Sequence, residues 1–195
     1  MNARGSDAHG TAEAVARRSY GKLVAFLAAN TRDVALAEDA LADAFAAALA
    51  DWPVNGSPSN PEAWLITAAR RKIVDAARKR SRGEHVAAQL QILGDGLEAA
   101  ASGPEIPDRR LALMSACAHP AIEVSVRAPL ILQAVLGFNA ETIASAFLTS
   151  PAAMAKRLVR AKDKIRQAAI AFAIPEREAL PGRLGNSREV EREAG

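Results

Sequence analysis

The chain has a single cysteine, Cys117, among 195 residues. No internal disulfide framework is available, and a reducing compartment is the default. Aromatic residues make up only 4%, while hydrophobic residues reach 50%, much of it alanine. Small, alanine-rich helical cores follow, each modestly stable because alanine buries little area. No stretch approaches the roughly 18 consecutive apolar residues of a membrane span. The N-terminus lacks the apolar run of a signal peptide. A soluble, cytoplasmic protein with no membrane partner is expected. Three histidines stand in unrelated contexts. There is no Ser/His/Asp constellation, metal cluster or phosphate-binding glycine loop, so no enzymatic activity and no cofactor are expected. Cys117 and His119 are a poor metal pair without a second cluster.

What is present is charge arranged along helices. The formal charge of +3 is mild, so its distribution says more than its total. The anchor is Ser59 to Arg82. Asn60 suits an N-cap, Pro61 the first helical position, and Glu62 the positive helix end. At about 100° per residue, Leu65, Ile66, Ala69, Ile73, Ala76 and Ala77 share one side. Trp64, Arg71, Asp75, Arg78 and Arg82 share the other, with Lys72 and Lys79 along an edge. A π face among cations suits unpaired bases and phosphates. A merely solvated basic face, or a tryptophan covered by another helix, fits the same pattern.

In chain order, Met1 to Gly10 reads as a frayed end. A helix over 11–29 follows, with Val15, Tyr20, Leu23, Val24 and Leu27 as core candidates. Asp33 caps a second helix to about Trp52, whose Asp39 and Asp43 place two like charges on one face. They are solvated, paired with a basic neighbour inside the fold, or an acidic docking face. Trp52 to Asn60 reads as a loop, and Gly83 to Pro107 as a linker holding at most a short helix near Val86 to Leu93.

Asp108 caps a helix to about Ala118, and another runs from Glu123 to Leu136 with a kink or late start at Pro129. After the turn Gly137–Asn139, Ala140–Phe147, a three-residue break and Pro151–Arg166 have the layout of a helix-turn-helix. Ser150 caps the second of these, with Met154, Leu158, Val159, Ala161 and Ile165 inward. Lys156, Arg157, Arg160, Lys164 and Arg166 make it basic, which favours DNA binding over an ordinary helical hairpin. The tail from Pro175 is charged and rich in Pro and Gly, the composition of a disordered end. The fold class is therefore all-α. Two small helical domains, 11–82 and 108–173, are joined by a flexible linker over 83–107 and followed by a disordered tail over 174–195. The second domain ends in the helix-turn-helix.

Three segments in order carry a resemblance. They are Ala37-Glu-Asp-Ala-Leu-Ala-Asp-Ala-Phe45, Asn60-Pro-Glu-Ala-Trp-Leu-Ile-Thr-Ala-Ala-Arg-Arg-Lys-Ile-Val-Asp75, and the basic helix Met154 to Arg166. Together they resemble bacterial sigma factors of the sigma-70 family, the extracytoplasmic-function (ECF) branch most closely. Cys117-Ala-His-Pro-Ala121 further resembles the subgroup that usually carries an extra C-terminal helical domain; here the chain stops where that domain would begin. Ala42, Ala118 and Thr142 depart from the family's usual residues.

The resemblance implies a transcription-initiation role in which Asp39, Leu41, Asp43 and Phe45 contact core RNA polymerase. It implies that Trp64, Arg70, Arg71, Lys72, Arg78 and Lys79 act at the promoter −10 element. Ser150, Ala152, Ala153, Lys156, Arg157 and Arg160 would face the −35 element, and an anti-sigma factor is a further expected partner. The rival readings are a stand-alone helix-turn-helix repressor and a truncated sigma-like protein that binds polymerase without initiating.

Overall fold

The computed structural model describes residues 3–80 and 105–174, excluding the side chains of 3–6 and 77–80. Among the described residues it is all-helical. The helices are α1 (Ala3–Thr31), α2 (Val34–Asn55), α3 (Pro61–Arg80), α4 (Arg110–Cys117), α5 (Val124–Ala134), α6 (Ala140–Ala146) and α7 (Pro151–Gln167). The linker expected over 83–107, apart from its last three residues, and the tail from 175 onward lie outside the described residues.

The caps follow the sequence closely. Asp33 accepts a hydrogen bond from the Leu36 amide, and Asn60 from the Ala63 amide. Asn139 and Ser150 do the same for Thr142 and Ala153. Each satisfies an orphan donor of a first helical turn. Asp108 is different. Its carboxylate accepts from the Arg110 backbone amide and also grips the Arg110 guanidinium, but the N-cap residue of α4 is Arg109, which offers no side-chain cap.

Some expectations are corrected. The first helix begins at Ala3 rather than near Thr11, and Ala8 is buried, so residues 3–10 are helical rather than frayed. The second helix continues past Trp52 through Pro53 to Asn55, which shortens the loop. Pro129 stands inside α5, which nevertheless starts at Val124, so the late start does not occur. Val159 is 58% exposed, because the inward row of α7 is Met154, Leu158, Ala161, Lys162 and Ile165.

Helices α1, α2 and α3 pack around Leu23, Phe26, Leu27, Leu41, Trp52, Leu65, Ile66 and Ile73. Helices α4 to α7 pack around Leu113, Cys117, Ile122, Leu130, Ile143, Met154, Leu158 and Ile165. The two groups also meet directly: α4 and α5 lie on α1, and α7 lies on α2. Close approach there depends on glycine. A Cβ on Gly21 would stand 1.9 Å from the Val135 carbonyl oxygen. Gly137, at φ +75, faces the Tyr20 ring, where a Cβ would come within 3.0 Å.

Candidate functional site

The N-terminus of α3 is fixed by a carboxylate. Ser19 Oγ donates to Glu62 Oε1 at 2.5 Å, and Lys22 Nζ to Glu62 Oε2 at 3.1 Å. Burial works against the Glu62 charge, but these hydrogen bonds outweigh it and hold the carboxyl below its ordinary range. With the helix start tied to α1, the buried row Leu65, Ile66, Ala69 and Ile73 sets the rotation of α3. Arg71, Lys72 and Asp75 are thereby exposed, and Arg70 is half-buried. The side chains of Arg78 and Lys79, in the last turn of α3, lie outside the described residues.

Trp64 is half-buried and meets Trp52 edge to face, ring centroids 5.4 Å apart and planes at 71°. It borders a cleft of about 340 Å³ lined by Ser59, Asn60, Thr67 and Arg71, with Pro58, Ala63 and Ala68. One indole, one guanidinium, one amide and two hydroxyls thus surround a space roomy enough for a planar heterocycle. The sequence marked Trp64 and Arg71. Ser59, Asn60 and Thr67 were not singled out as site residues, because their small polar side chains resemble ordinary loop and helix residues until the cleft is seen.

On α2, Asp39 and Asp43 are exposed. Lys72 of α3 lies 3.5 Å from Asp43 with both side chains more than half exposed, so the acidic and basic faces adjoin. Such a pair contributes little stability. Phe45 is half-buried against the core. Leu41 is wholly buried, which corrects its assignment as a direct contact: it packs beneath the acidic face instead of presenting itself there.

The short α6, a turn through Leu148 and the longer α7 form a second candidate surface. Leu148, at φ +51, is 97% exposed. Ser150, Ala152, Lys156, Arg157 and Arg160 are exposed, and Ala153 is half-buried. Arg157 and Arg160 join Lys164 along a cleft of about 440 Å³, closed on its other side by Ile122, Glu123 and Val126. The α7 cation that stands apart is Lys162. It turns inward and donates to Glu38 Oε2 on α2, the two side chains 10% and 13% exposed. Burial pushes the Glu38 carboxyl up, and the Lys162 ammonium only partly opposes this. No sequence pattern singled out this pair, whose members stand 124 residues apart.

The comparisons bear on the first of these surfaces. The chain is 35% identical over 150 residues to an uncharacterized protein of Rhizobium meliloti (strain 1021), an alignment covering 74% of this chain and 36% of that one. The chain thus spans about a third of the length of the curated relative it matches. No solved structure matches it. Residues 15–83, which hold most of α1 and all of α2 and α3, match the family model of Sigma-70 region 2, and that match supports placing this chain with the sigma-70 family.

Proposed function

We propose that this protein is a promoter-recognition subunit of bacterial RNA polymerase, an extracytoplasmic-function type of sigma factor that binds core polymerase and directs it to specific promoters. The observation that carries the reading is Trp64, set on a basic helix beside a polar cleft, within the segment that matches Sigma-70 region 2. An unpaired −10 base would stack on the exposed part of the indole and hydrogen-bond within the cleft, while Arg70, Arg71, Lys72, Arg78 and Lys79 neutralise phosphates. The exposed Asp39 and Asp43 would meet a basic surface of core polymerase. The α6–α7 pair, read as a helix-turn-helix, would lay α7 in the major groove at the −35 element. There Ser150, Ala152, Ala153, Lys156 and Arg157 face bases or backbone, with Arg160 on phosphate. The protein performs no chemistry of its own in this role, works in the cytoplasm, and is open to control by an anti-sigma factor.

The test is co-purification of the tagged chain with bacterial core RNA polymerase, followed by transcription on promoter fragments. Stoichiometric binding with specific initiation is expected. Binding without initiation would instead favour a sigma-like protein that occupies polymerase, and duplex binding without polymerase would favour a repressor.

A further inference from the structure

A further cleft, of about 440 Å³, lies where α1, α4 and the turn after α5 meet, and the promoter reading makes no use of it. Part of its wall is set by two close approaches. Gly21 admits the Val135 carbonyl where no side chain could stand, and Gly137 admits the Tyr20 ring. Backbone rather than long side chains shapes this side, so the cleft exists before any ligand arrives.

Its charge comes from two elements distant in sequence. Arg17 and Arg18 of α1 and Arg110, the first residue of α4, line it against one carboxylate among the described residues, Glu13. The existing ion pairs do not use up these cations. Arg17 meets Glu13 at 2.7 Å with both side chains more than 70% exposed, so the pair contributes little and is readily exchanged. Asp108 takes Arg110 by Nε and one terminal nitrogen, fewer than the five donors a guanidinium carries. Arg18 acts on Glu62 through its charge.

A guanidinium is a flat fork that matches phosphate oxygens, and three on one cleft favour a ligand with more than one negative charge. The rest of the lining is apolar: Ala16, Val135 and Leu136 beside the Tyr20 ring. Leu136 is 60% exposed, an apolar side chain that the organic part of a ligand would cover. Glu13 suits the same ligand, because a carboxylate accepts from sugar hydroxyls, as it does in dinucleotide sites. The volume falls within the range of small-molecule sites, about 300–1,000 Å³, which form preferentially between packed units. A concave cleft that includes a carboxylate fits a small phosphate ester better than a DNA backbone, which is met by cations alone.

We propose that this cleft binds a phosphorylated small molecule of nucleotide size. Its phosphates lie on Arg17, Arg18 and Arg110, its hydroxyls on Glu13, and its ring along Leu136 and Tyr20. The inference is independent of the promoter-reading assignments of α3 and α7.

The probe is ADP, titrated into the full chain by isothermal calorimetry, with inorganic pyrophosphate and a duplex DNA fragment for comparison. Saturable binding with a Kd below about 1 mM is expected, and ADP should raise the thermal midpoint. Arg17→Ala with Arg110→Ala should weaken ADP by at least about tenfold with native circular dichroism, since both residues are exposed. Should that variant fail to fold, Arg17→Ala with Arg18→Ala serves in its place. Arg157→Ala with Arg160→Ala, in the cleft beside α7, should leave ADP affinity unchanged. Absence of saturable ADP binding up to about 5 mM overturns the proposal. So does binding that survives loss of the α1 and α4 arginines, or that disappears with the α7 pair. Pyrophosphate that binds as tightly as ADP overturns the place given to the sugar and ring. Duplex DNA that displaces ADP and loses affinity in the same arginine variant assigns the cleft to a DNA backbone and overturns the small-molecule reading.

Discussion

Trp52 and Trp64 form one aromatic pair with two duties: Trp52 is wholly buried under the α2–α3 junction, while Trp64 rests its half-buried ring edge to face upon it. The buried ring sets the height and tilt at which the outer one is offered to solvent. Packing of α2 on α3 is thereby coupled to the shape of the adjoining cleft.

Substitutions in the pair should separate these duties. Trp64→Ala removes a stacking surface worth about 1–3 kcal/mol per base, so promoter opening should fall by roughly tenfold or more while polymerase binding persists. Permanganate reactivity of unpaired thymines reads this directly, and undiminished reactivity counts against the assignment. Trp52→Ala should instead cost about 3–5 kcal/mol of stability, seen as a lower midpoint in urea. Trp52→Phe should cost less, because it keeps much of the ring and removes an indole N–H that is buried without a partner.

The acidic face of α2 should behave in the opposite way. Asp39 and Asp43 are exposed, and among the described residues the one ion pair between them and α3 is the loose one from Asp43 to Lys72. Asp39→Arg with Asp43→Arg should leave the thermal midpoint within a few degrees of wild type. Affinity for core polymerase should drop by roughly a hundredfold or more, since like charges across an interface cost several kcal/mol. A pull-down titration alongside circular dichroism checks both, and unchanged affinity removes the docking assignment.

Much of this was legible in the chain, and the reasons are local. Asn60, Pro61 and Glu62 announce the start of α3, and Asp33 and Ser150 accept the predicted amide bonds. The apolar row Leu65, Ile66, Ala69 and Ile73 is buried as its spacing requires. What was not legible depends on neighbours distant in sequence. Nothing near Lys162 distinguishes it from Lys156 or Lys164; only the approach of α2 makes it a buried partner of Glu38. Leu41 was assigned to a surface by the family resemblance, yet helical geometry turns it to the core. Met1 to Gly10 looked like a frayed end because Gly5, Ser6 and Gly10 are poor helix formers. Burial of Ala8 and Ala12 accompanies helix over the described part of that stretch.

Gly21 tests whether the contact between the two helical groups is specific. Alanine is the better helix former by about 1 kcal/mol, so Gly21→Ala on an isolated α1 would stabilise it. In the folded chain the new Cβ would collide with the Val135 carbonyl, a backbone atom that cannot swing aside. Overpacking of this kind costs about 1–3 kcal/mol or more. The expected result is a thermal midpoint lowered by several degrees, using about 2–4 °C per kcal/mol for a chain of this size. A midpoint equal to or above wild type would mean that α1 and α5 do not approach so closely in solution.

Acid should loosen the anchoring of α3 through Glu62. Its folded carboxyl titrates below the ordinary value of 4.5, because the hydrogen bonds from Ser19 and Lys22 outweigh the burial that opposes its charge. A depressed acid stabilises the fold above its unfolded pKa, and that contribution disappears as the pH falls through the lower, folded value. Glu38 has the opposite sign. Its raised folded pKa gives a contribution present below 4.5 and lost as the pH rises through the folded value, so acid does not act against the fold through Glu38. Glu62→Gln should therefore be less stable than wild type at neutral pH, and the gap should narrow as the medium is taken below about pH 4. Urea midpoints of the two proteins across that range provide the check. A gap that stays constant with pH would show that the Glu62 charge contributes nothing beyond the shape of its side chain.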